Sequence, residues 1–152
     1  MTRILLVPAM AAALTALPAL AVEPAMGARL GATLDEISAS LAADGYALTE
    51  FESEDGRIEL TVIKEARRIE AYVDPVTGEV TRAESRSRGG PWPLPGVNDA
   101  EWRARLALEG YEIVKYERER GEIEVKAMRD GHRWDLEIDP RDGRTVKVEE
   151  DD

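Results

Sequence analysis

Residues 56–78 read GRIELTVIKEARRIEAYVDPVTG, and residues 121–143 read GEIEVKAMRDGHRWDLEIDPRDG. In both stretches apolar and polar residues alternate. Ile58, Leu60 and Val62 are separated by Glu59 and Thr61, and Ile123, Val125 and Ala127 by Glu124 and Lys126. Ile69, Ala71 and Val73 then match Trp134, Leu136 and Ile138. A period of two puts one apolar and one charged face on each strand, so these segments predict half-buried β-strands. Asp74-Pro75-Val76-Thr77-Gly78 and Asp139-Pro140-Arg141-Asp142-Gly143 predict turns into a short fourth strand. Asp starts such a turn, Pro presets φ at its second position, and Gly supplies the left-handed exit.

The match extends outward from these stretches. An offset of 65 aligns residues 33–84 with 98–149 without a gap, and 16 of the 52 pairs are identical. Upstream, Ala47–Glu52 and Glu112–Glu117 predict a first strand that breaks phase. Leu48 and Phe51 are three apart, as are Ile113 and Tyr116, which predicts a bulge or strong twist. Asp55-Gly56 and Arg120-Gly121 join the first and second strands. Asp130-Gly131 is a strong hairpin signal, and Glu65-Ala66 a weaker one in the same place. Before the strands, Thr33 and Asn98 are good N-caps with Glu36 and Glu101 at capping-box spacing. Leu34, Ile37 and Leu41 fall on one helical face, as do Trp102 and Leu106, and Gly45 and Gly110 predict the helix stops.

The expected fold class is therefore α+β: two tandem repeats, each one short helix packed on a three- to four-stranded antiparallel meander. The helix must cover the apolar face, because nothing else in the unit can. Modules are expected at 33–84 and 98–149, with a lead-in at 22–32. A Gly/Pro/Trp linker follows at 85–97, and an acidic tail at 150–152.

At the N-terminus, Arg3 precedes an apolar run from Ile4 to Leu20, and Ala19-Leu20-Ala21 has the small-x-small form of a cleavage site. This predicts a signal peptide over 1–21, cleaved after Ala21, and hence a periplasmic or secreted protein with no stable membrane insertion. The chain has no Cys, so thiol catalysis and thiolate metal sites are excluded. Its net charge of −11 repels phosphates, which argues against nucleic acid as a partner. The acidity is concentrated in residues 33–84, making that half the expected face for a cationic partner.

A short helix ending in Gly-Tyr (Gly45-Tyr46, Gly110-Tyr111), three strands, and an Asp-Pro-x-x-Gly hairpin resemble the PepSY domain of peptidase propeptides and related exported bacterial proteins. The resemblance implies a non-catalytic extracytoplasmic module that binds proteins or modulates a peptidase, and it supplies no catalytic residues. The second copy departs from the pattern at Arg141-Asp142-Gly143-Arg144.

The residues add no catalytic, cofactor or metal site. His132 is the sole histidine and reads as a surface turn residue. Asp139 to Gly143 lacks calcium-loop spacing. Candidate partner-binding residues are Arg68 and Arg133, which repeat on the charged strand face, and Trp92 between two prolines of the linker. Arg68 and Arg133 could instead pair with Glu70 and Asp135. The expected role is a protein-binding module, possible targets being an exported peptidase or other envelope protein. An acidic cation-binding envelope protein is the alternative.

Overall fold

A computed structural model of the chain describes residues 23–87, 99–119 and 121–151. The signal-peptide region, the Gly/Pro part of the linker with Trp92, and Asn98 lie outside the described residues. The order of elements is α1 (Leu34–Ala43), β1 (Ala47–Glu54), β2 (Arg57–Lys64), β3 (Arg67–Val73) and β4 (Val80–Ser87). Then follow α2 (Asp99–Leu108), β5 (Glu112–Arg118), β6 (Ile123–Arg129), β7 (His132–Ile138) and β8 (Thr145–Asp151).

All strands join one antiparallel eight-stranded sheet in the order β4-β3-β2-β1-β5-β6-β7-β8. This corrects the expectation of a separate small meander under each helix. The meanders fuse edge to edge, because β1 pairs β5 through Glu50↔Glu117, Phe51↔Tyr116 and Glu52↔Lys115. The fourth strands are also not short. β4 and β8 run eight and seven residues, through Ser87 and Asp151. Being outermost, they are largely wetted on both faces, so their polar sequences carry little alternation.

The pairings repeat at the sequence offset. Leu48↔Val62 and Phe51↔Leu60 correspond to Ile113↔Ala127 and Tyr116↔Val125. Register shifts fall between Leu48 and Glu50 and between Ile113 and Lys115, where the phase breaks predict bulges. At the β1–β5 seam, Phe51 and Tyr116 occupy equivalent positions and face each other, so a local pseudo-twofold passes between them. Their stacked rings lie 6.3 Å apart.

Local signals explain the elements. Thr33 and Glu36 form a complete capping box on α1. Its Ile37 and Leu41 are fully buried, which stabilises docking by roughly 3–6 kcal/mol. Gly45 and Gly110 end the helices at φ 74° and 85°. Asp55-Gly56 and Asp130-Gly131 have positive φ at both residues, the hand that suits twisted hairpins. In the longer turns, Asp74 Oδ1 accepts from Val76 N at 2.9 Å and Thr77 N at 2.8 Å, and Asp139 Oδ1 from Arg141 N at 2.9 Å. The backbone donor of Thr77, before that of Val76, holds the Asp74 carboxyl below its usual range. The Arg141 side chain lowers Asp139 to about 2.

Both helices lie on one side of the sheet, above a single apolar core. Trp102 packs edge-on against Tyr116 at 5.9 Å. Leu30, from the lead-in, closes the core beside β4.

Candidate functional site

Among the described residues, no element lies over the side of the sheet away from the helices. Strand registers align its side chains in rows. One row crosses every strand: Glu84, Glu70, Thr61, Glu50, Glu117, Glu124, Glu137 and Lys147. Six of its eight positions are glutamate, and four of these, Glu50 to Glu137, sit on consecutive strands. Like charges directly opposite one another repel, so this pattern opposes sheet stability. A neighbouring row, Arg82, Tyr72, Glu59, Glu52, Lys115, Lys126, Asp135 and Glu149, mixes the signs.

The cost is legible at Glu117. Burial, and then Glu50 across the seam, raise its carboxyl above the usual value, with Glu119 and Glu124 adding to the rise and Lys115 opposing it. A carboxyl raised in the fold favours its protonated form. Its contribution to stability is complete below the unfolded pKa and is lost as pH rises through the folded one. Glu117→Gln should therefore stabilise the protein at pH 7, by roughly 0.5 kcal/mol. The gain should vanish below the ordinary glutamate range. Thermal unfolding at both pH values checks this, and an equal gain at both would refute the origin given.

Positive groups frame the acidic row. Arg68 Nη2 lies 3.3 Å from Glu50 Oε1, and its Nε 3.4 Å from Glu70. Arg86 reaches Glu84 and Glu70 at 3.6 and 3.8 Å. Arg133 pairs with Glu54 at 3.0 Å, while Asp135 pairs with Lys126 at 3.1 Å. Arg68 and Arg133 thus share the open face but stand five strand spacings apart, on β3 and β7. The structure does not bring them together. Sequence reading missed the acidic row, because the row follows from strand registers and its two halves meet only once β1 is registered on β5.

Two hollows border these features. One, of about 230 Å³, lies on the open face among Glu117, Glu124, Glu137, Lys115, Lys126 and Lys147. The other, of about 460 Å³, lies on the helix side, where Leu34, Phe51, Ala107, Tyr111 and Ile113 surround Arg103. Arg103 is nearly buried and sits 3.6 Å from the exposed Asp35. Next to it, Arg118 and Asp99 form a buried ion pair, and Asp99 also accepts from Trp102 Nε1 at 3.1 Å. Burial pushes the neighbouring Tyr116 phenol upward, and its hydroxyl donates to Leu48 O at 3.2 Å.

His132 is exposed, with Nδ1 2.6 Å from Glu150. Among the described residues, no group of three or more His, Cys, Asp or Glu could hold a metal ion. No helix among them is long and apolar enough to cross a membrane. Three acids of the row, Glu117, Glu124 and Glu137, share the open-face hollow with lysines, and the others continue the line across the face. A line of like charges of this kind is complementary to a cationic surface.

Comparison with known proteins adds a family. A family model, PepSY_2, described as "Peptidase propeptide and YPEB domain", matches residues 5–84. No curated protein matches the chain. A crystal structure of a protein described as a lipoprotein from Clostridium difficile 630 is 12% identical, with a TM-score of 0.44. The match covers 70% of this chain and 82% of that one. The YpeB C-terminal domain of Bacillus megaterium is also 12% identical, with a TM-score of 0.33, covering 76% of this chain and 61% of that one.

Proposed function

The chain belongs to the PepSY_2 family of peptidase propeptide and YPEB domains, and on that premise we propose that it is a non-catalytic, exported binding module made of two PepSY-like halves. Its partner is an extracytoplasmic protein with a cationic surface, such as a peptidase that it restrains. The equivalent pairings at an offset of 65 support the reading of two halves. The sequence of residues 1–21 supports export to the periplasm or beyond, and the net charge disfavours nucleic acid.

The observation that carries this reading is the uncovered sheet face with its row of six glutamates. Repulsion along that row works against the fold, and a cationic partner would relieve it. Charge complementarity of this kind speeds encounter and selects partners, and salt weakens it. Arg68 and Arg133 stand on β3 and β7, each one strand in from an edge of this face, where they would fix the orientation of the bound partner.

Immobilised protein should capture a partner from the exported fraction at low salt and release it as salt rises. The Glu50→Gln/Glu124→Gln/Glu137→Gln variant should retain that partner at least about tenfold more weakly, since each lost rim contact changes association and its salt dependence. Saturable capture that the triple variant leaves unchanged would overturn the assigned face. No saturable partner under any salt condition would overturn the binding role.

A further inference from the structure

The two outer edges of the sheet are not equivalent. At β4, Gly27 N donates to Val80 O and Val80 N to Ala28 O, both at 2.8 Å, and Leu30 N donates to Gly78 O at 2.9 Å. The lead-in thus occupies the start of that edge, and an Arg29↔Glu79 bridge completes it. At β8, no described residue does the same. Six of its seven residues pair with β7 and, among the described residues, with no other strand, leaving an outward row of backbone donors and acceptors. Such an edge templates further strand pairing unless proline, bulges or repeated lysines blunt it. β8 has no proline and a single lysine, its bulge is confined to Val146 near the start of the strand, leaving Lys147–Asp151 regular, and Val146 and Val148 are 60% and 48% exposed.

We propose that β8 is a self-association edge, on which two copies of the chain pair antiparallel about a twofold axis at Val148. The charge pattern of the strand selects this occupant and this register. With Val148 opposite itself, Lys147 of each copy faces Glu149 of the other, twice per dimer. Both side chains lie on the open face, because Lys147 pairs with Glu137 and Glu149 with Asp135. Centring on Lys147 or on Glu149 would instead set like charges face to face. The molecule already contains a junction of this form. At the β1–β5 seam the apolar pair Phe51/Tyr116 is flanked by Lys115 and Glu52 at 2.7 Å. The β8 pairing would have an opposite-charge pair on both sides, where the seam has one, and would join two sheets into sixteen strands. It uses the outer strand edge, with Lys147 and Glu149 at the margin of the open face, and does not depend on the partner-binding reading.

Sedimentation equilibrium over a concentration series tests the proposal, with circular dichroism confirming that each variant is folded. The native chain should dimerise. Lys147→Glu places Glu opposite Glu149, and Glu149→Lys places Lys opposite Lys147, so each alone should weaken the dimer by about tenfold or more. The double variant Lys147→Glu/Glu149→Lys restores opposite charges and should return to within about threefold of the native constant. An equimolar mixture of the two single variants should form a mixed dimer that neither forms alone. A native chain that stays monomeric, single variants that dimerise like native, or a double variant and a mixture that both fail to recover would each overturn it.

Discussion

Arg118→Ser should lower the unfolding free energy by about 3–5 kcal/mol, the cost of breaking a buried ion pair at one end. The Arg118 and Asp99 side chains are only 4% and 17% exposed. Removing the guanidinium leaves a carboxylate under the start of α2 with the Trp102 indole as its one donor among the described residues. Pairing is not required by the architecture at this place. At the offset of 65, the first half has Leu34 for Asp99 and Ser53 for Arg118, and it builds the same helix on the same strands. The double variant Asp99→Leu/Arg118→Ser should therefore recover most of the loss. A remainder of about 1–2 kcal/mol is expected, because the Trp102 N–H loses its acceptor. Urea unfolding of the two singles and the double gives the coupling energy. A double variant no more stable than Arg118→Ser would show that the uncompensated charge is not what the single substitution costs.

That ion pair marks a boundary of what the sequence discloses. Strands β1–β3 and β5–β7, the bulges of β1 and β5, the α1 capping box and the burial of Ile37, Leu41, Trp102 and Leu106 follow from local periodicity and turn chemistry. These depend on neighbours within a few residues, so one chain is enough to read them. The joining of the halves is different in kind. β1 carries the same alternation whether its outer edge is free or paired, since the seam is made by backbone groups common to every residue. The acidic row inherits this invisibility: Glu50, Glu117 and Glu124 are ordinary strand glutamates until the register sets them side by side. Arg118 likewise reads as the charged end of a strand, and only the return of α2 buries it. Arg68 and Arg133 were recognisable as a repeated pair. Their differing neighbours, Glu50 and Glu70 against Glu54, come from tertiary placement that repetition does not determine.

The largest difference between the halves should appear at two glycines that the sequence presents as equals. Gly78 and Gly143 both leave an Asp-Pro turn at φ 69°. Alanine at either position enters the left-handed region, at about 1 kcal/mol. The surroundings then separate them. A Cβ on Gly78 would stand 2.8 Å from Gly31 C and 2.9 Å from its Cα, contacts with backbone that no rotamer change relieves. The lead-in would have to lift, giving up the Leu30 N bond to Gly78 O and the burial of Leu30, which is 1% exposed. A Cβ on Gly143 would meet Trp102 Cβ at 3.4 Å, a contact at the edge of the ordinary range. Gly78→Ala should thus cost about 3–4 kcal/mol, adding the lost burial of a leucine to the backbone strain, and Gly143→Ala only about 1–2 kcal/mol. Hydrogen exchange should show the difference in kind as well as size. In Gly78→Ala the amides of Leu30 and Val80 should lose protection while β6 and β7 keep theirs. Equal destabilisation by the two alanines would mean that the lead-in does not close the first half of the core.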